Sequence, residues 1–143
     1  MDLLALTLSL ILAILAGVHF FWAAGGLWPL KSELSLARTV DGATGINKMP
    51  NRGITVIVGL IIAGAAIWPL MWRALIPYLI PQGMVWAGMF GLTLAFLIRG
   101  LSGFLPFMNK RHGEQPFARL NKQIYSPLCL ALGAGFALLL LYL

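Results

Sequence analysis

His19-Phe20-Phe21-Trp22-Ala23-Ala24-Gly25-Gly26-Leu27-Trp28-Pro29 closes a long apolar segment that begins at Leu3, and His19 is the segment's only ionisable residue. Spaced three and four apart, His19, Trp22, Ala23 and Gly26 share one face of a helix. An ionisable group within a membrane span is costly and faces a protein interior or a cavity. The stretch therefore predicts a membrane helix with one face turned into a bundle.

The rest of the chain agrees. Of 143 residues, 60% are hydrophobic and 10% charged, against about 25% charged in an average soluble domain. So short a chain cannot hide that much apolar surface in water, and the class is an integral membrane protein. Four apolar runs stand out, at about 3–30, 53–72, 83–107 and 124–143. Each approaches or exceeds the ~20 residues that cross ~30 Å of hydrocarbon. In lipid only helices and closed barrels satisfy the backbone, and the alternation of barrel strands is absent. The expected fold is all-α, a polytopic membrane protein with one four-transmembrane-helix bundle over 1–143.

Charge sets the orientation. Loop 31–52 carries Lys31, Arg38, Lys48 and Arg52, loop 109–123 carries Lys110, Arg111, Arg119 and Lys122, and the connection between spans two and three holds only Arg73. The positive-inside rule places both basic loops in the cytoplasm and both termini outside the plasma (inner) membrane. The formal charge of +6 is thereby accounted for, and no nucleic-acid partner is expected. No Lys or Arg precedes the first apolar run, so that run is expected to stay in the mature protein. Ala74 to Pro81 is apolar but broken by Pro77 and Pro81, and is read as an interfacial connection beside Trp68, Trp72, Tyr78 and Trp86.

Arg99 is the residue hardest to explain structurally. It stands eleven residues before Lys110, ~16 Å if the path is helical. An arginine stays protonated and must find an acceptor or reach water. The acceptors open to it are backbone carbonyls, Tyr125, a loop acid such as Glu33 or Glu114, or an anionic ligand. Pro127 suits the first turn of a helix, with Ser126 as its N-cap. Topology gathers His19, Trp22, Arg99, Tyr125 and Ser126 at the cytoplasmic half, as candidates to line a pocket for an anionic or amphiphilic, lipid-like molecule. The alternative for Arg99 is a helix end at the interface; for His19, a hydrogen-bonded structural role.

No cofactor is expected. One His19 from each subunit of a dimer offers two axial haem ligands, but His112 sits in a charged loop and no second ligand lies within the spans. Zinc lacks companions for His19, and Cys129, the one cysteine, permits no intrachain disulfide. His19, Tyr125, Ser126 and Cys129 make no recognisable catalytic pair, so enzymatic activity is left open. Gly59 with Ala63, Gly133 with Ala137, and Gly88 with Gly91 let helices approach closely in lipid, either within one bundle or in a homo-oligomer. A small transporter or channel, or an accessory subunit that binds another protein, are the competing functions.

The chain resembles a family of small bacterial four-span proteins known as domain of unknown function 3995. The matching features are the His19 to Trp28 stretch, the Arg99-Gly100 pair, and Pro116-Phe117 followed by Tyr125-Ser126-Pro127-Leu128-Cys129. The resemblance covers most of the chain and implies a four-helix bacterial membrane protein. It implies no activity and assigns those positions no role.

Overall fold

The computed structural model describes residues 1–142; Leu143, the last residue of the expected fourth span, lies outside the described residues. In chain order the helices are α1 Asp2–Ala23, α2 Glu33–Val40, α3 Arg52–Trp72, α4 Gln82–Ser102, α5 Pro106–Arg111, α6 Phe117–Leu120 and α7 Ser126–Leu141, with a π-helical turn, Asn121–Tyr125, between the last two. Among the described residues four helices are long and apolar enough to cross a membrane: α1, α3, α4 and the continuous rod Phe117–Leu141. The protein is an all-α four-helix bundle of membrane type.

The helix ends differ instructively from the apolar runs. The first helix stops at Ala23, well before Leu30, because Gly25 adopts φ +99°. The Gly26 N–H then reaches the Phe21 carbonyl at 2.9 Å and the Gly25 N–H reaches Trp22 at 3.0 Å, which is a Schellman termination. The third apolar run breaks after Ser102, and Pro106 opens the separate helix α5. Loop 31–52 is not irregular throughout, since Ser32 caps α2 by accepting from the Ser35 N–H at 3.2 Å.

The fourth span starts at Phe117, not near Ile124, so Ser126 lies inside the rod instead of capping it. The cause is Pro127. It has no N–H to give to the preceding turn, and the ladder widens there, with the Ser126 N–H bonding the Asn121 carbonyl five residues back. A π turn is the usual relief for such a lost bond inside a helix.

Helix α1 packs chiefly on α3 and α4 chiefly on α7. The two antiparallel pairs meet over a core of Ala5, Leu8, Leu12, Ala65, Ala66, Met89, Leu132, Phe136 and Leu139. Close approach of α4 and α7 needs glycine, because a Cβ on Gly133 would sit 3.0 Å from the Leu97 backbone nitrogen, and one on Gly100 2.9 Å from that of Leu130. Trp68 and Trp72 are more than interfacial anchors. Their indole N–H groups donate to the Val85 carbonyl at 3.2 Å and the Leu139 carbonyl at 2.8 Å, stitching α3 to α4 and to α7. At the same end Asp2 pairs with Arg73 at 2.8 Å.

Candidate functional site

The two basic loops lie at one end of the bundle and are knitted together. Thr44 donates its N–H to the Arg111 carbonyl at 2.9 Å and its hydroxyl to the Lys110 carbonyl at 2.9 Å. The Glu114 N–H reaches the Gly42 carbonyl at 3.1 Å, and the Glu114 carboxylate accepts from the Gly45 N–H at 3.1 Å. His112 contacts Asp41, and its ring lies 5.8 Å from that of Phe117, which in turn lies 5.6 Å from the ring of Tyr125. Tyr125 then donates its hydroxyl to the Thr39 carbonyl at 2.9 Å. Gly42, at φ +65°, leaves the space that the Phe117 side chain occupies.

Beneath this cap is a polar cluster between α4 and the π turn. The Arg99 Nη2 donates to Asn121 Oδ1 at 2.9 Å, and the Ser126 hydroxyl donates to the same oxygen at 3.3 Å. The Asn121 amide nitrogen faces the Gly103 carbonyl at 3.5 Å. Asn121 is 2% exposed and Ser126 fully buried. Among the described residues Arg99 Nη1 has no hydrogen-bond partner, and it is buried. The guanidinium also stands in the last turn of α4, where the helix dipole favours a cation. Among the described residues its hydrogen-bond partner is the neutral Asn121 amide, and no ion pair includes it.

His19 and Trp22 form a separate pair at the end of α1, with ring centroids 5.3 Å apart. His19 Nδ1 is 2.7 Å from the Leu15 carbonyl. A carbonyl only accepts, so Nδ1 carries the hydrogen of this bond. Trp22 donates its indole N–H to the Trp28 carbonyl at 2.8 Å. It also lines a cavity of about 130 Å³ that includes Glu33, Leu36, Met49, Arg52 and Thr55.

Of the five residues singled out in the sequence, Arg99 and Ser126 thus share one cluster, Tyr125 reaches over it to loop 31–52, and His19 and Trp22 pair at the end of α1. Asn121, which joins Arg99 to Ser126, was missed as a partner; its signal was its place in the polar run Asn121-Lys122-Gln123, five residues before Ser126. Arg52 was read only as loop charge. Among the described residues no three His, Cys, Asp or Glu side chains converge as a metal site would require.

A family model described as "Protein of unknown function (DUF3995)" matches residues 12–136, most of the chain. No curated protein and no solved structure matches.

Proposed function

The chain belongs to this family of proteins of unknown function, and from that footing we propose that it is a membrane protein that binds an anionic, lipid-like molecule beside Arg99. The observation that carries the reading is the guanidinium with Nη2 on a neutral amide and Nη1 buried and unpartnered. The one acidic residue within the four spanning helices, Asp2, is at the opposite end and paired with Arg73. A phosphate or carboxylate oxygen would supply the missing acceptor and the missing charge together, in the charge-assisted geometry that arginine favours.

The setting suits such a ligand. Eight of the ten Lys and Arg residues lie in the two loops over this end. We read those loops as cytoplasmic in a bacterial inner membrane, with both termini outside. Cations near an anionic leaflet each attract it by about 1 kcal/mol, which concentrates acidic headgroups near the cluster.

The test is native mass spectrometry, with lipid identification, on wild type, Arg99→Met and Arg99→Lys purified in mild detergent. Wild type is expected to carry an acidic lipid. Occupancy should fall at least fivefold in Arg99→Met, and less in Arg99→Lys, which keeps the charge but not the fork. Equal occupancy in all three, with helicity unchanged, would overturn the reading.

A further inference from the structure

The cavity at the junction of α1, α2 and α3 is separate from the Arg99 cluster and differs from it in charge. Its volume of about 130 Å³ is near the ~150 Å³ of a protein cavity that holds benzene. Two opposite charges line it, Glu33 and Arg52, yet among the described residues no ion pair joins them. One Glu33 oxygen accepts from the Met49 N–H at 3.1 Å, which fixes the carboxylate and leaves its second oxygen for another donor. Arg52 Nη2 lies 3.5 Å from where a Gly25 side chain would begin, beside the turn that ends α1. Gly25 and Gly26 of the turn that ends α1 line the same cavity. Leu36, Met49 and Trp22 also line it, and the one polar side-chain atom of Trp22 is already engaged by the Trp28 carbonyl.

We propose that this cavity is a binding site for a small zwitterionic group, an oxyanion and an ammonium a few bonds apart. The oxyanion pairs with Arg52, the ammonium with Glu33, and the short carbon link packs against Trp22 and Leu36. A simple anion would meet Glu33 and a simple cation would meet Arg52, so neither is well received. Two sources offer this chemistry: the phosphoethanolamine headgroup of a bilayer lipid, and a free aminoalkyl phosphate. The position suits either, because Trp22 lies in the last turn of one spanning helix and Arg52 begins another.

The experiment uses delipidated full-length protein in detergent. It is exposed separately to dihexanoyl phosphatidylethanolamine, dihexanoyl phosphatidylglycerol and soluble phosphoethanolamine, and read by native mass spectrometry and thermal melting. Wild type should retain the ethanolamine lipid at least fivefold better than the glycerol lipid. Arg52→Gln should lose that retention. Glu33→Gln keeps the acceptor for Met49 but removes the charge, and should abolish the preference between the two lipids. Lys110→Gln, an exposed loop cation outside the cavity, should match wild type. Displacement of the lipid by soluble phosphoethanolamine assigns the site to the headgroup alone; retention of the lipid only assigns it to the bilayer. No preference in wild type, or undiminished retention in a folded Arg52→Gln, would overturn the proposal. Arg99→Met probes the other site, so the two readings fail separately.

Discussion

Arg99 and Asn121, 22 positions apart, meet through one hydrogen bond of 2.9 Å that ties the last turn of α4 to the π turn of the fourth span. A bond to a charged group contributes about 1.5–3 kcal/mol. Asn121→Leu removes the acceptor for both Arg99 and Ser126 and is expected to destabilise the protein by about 2 kcal/mol, read as a lower melting temperature in detergent. Asn121→Asp should melt near wild type or above it, because it supplies the counter-ion. It should also release any acidic ligand. Retention of that ligand in Asn121→Asp would count against the Arg99 site.

The two ends of the α1–α3 pair are built alike but with different residues. Gly25 takes the left-handed position after α1, while Ala74 takes it after α3 at φ 51°. There the Leu75 N–H meets the Leu70 carbonyl at 2.9 Å and the Ala74 N–H meets Met71 at 3.0 Å, the same Schellman pattern. A side chain in that region costs about 1–2 kcal/mol. Ala74→Gly is thus expected to raise stability by up to about 1 kcal/mol, and Gly25→Ala to lower it by a similar amount. Melting of both variants in one detergent checks the opposite signs.

Glycines on this bundle divide by what surrounds them. A Cβ on Gly103 would fall on the Ser126 hydroxyl, and one on Gly100 against Leu130, whereas Gly64 and Gly91 have open space beside them. Overpacking of a tight contact costs about 1–3 kcal/mol. Gly100→Ala and Gly103→Ala should destabilise by that order; Gly64→Ala and Gly91→Ala should be neutral or stabilising in the monomer. Should Gly91→Leu instead change the oligomeric state in size-exclusion light scattering, the open face is where copies meet.

Tyr125 is the strut between the fourth span and loop 31–52. Tyr125→Phe deletes only the bond to the Thr39 carbonyl and should cost about 1 kcal/mol. The loss should be local. Faster amide exchange or proteolysis in α2 and the following turn, with the spanning helices unchanged, is the expected pattern.

The antiparallel order of the four spans leaves Asp2 and Leu141 on the side away from the knitted loops. With eight cations in the two loops and Arg73 alone in the opposite connection, a C-terminal fusion should place alkaline phosphatase in the active, external location. A fused cytoplasmic reporter that fluoresces or acts there instead would reverse the orientation.

What the sequence by itself determined is the class and the count. Apolar runs of span length admit only helices in lipid, but the structure decided where two of them stop, at the Gly25 turn after Ala23 and at the break between Ser102 and Pro106. The arginine of the polar cluster was also legible, as a charge within an apolar run. Tertiary structure alone decided its partner. Pro127 forces a π turn, and that turn helps seat Asn121, not Tyr125 or a loop acid, against Arg99. Packing of α1 on α3 carries Arg52 from a loop charge to the wall of the Trp22 cavity, and the hydrogen bonds of Thr44 and Glu114 join loops some seventy residues apart. Such pairings depend on how close two helices can come, which is set by side-chain volumes on facing surfaces and leaves no trace in the spacing along one chain.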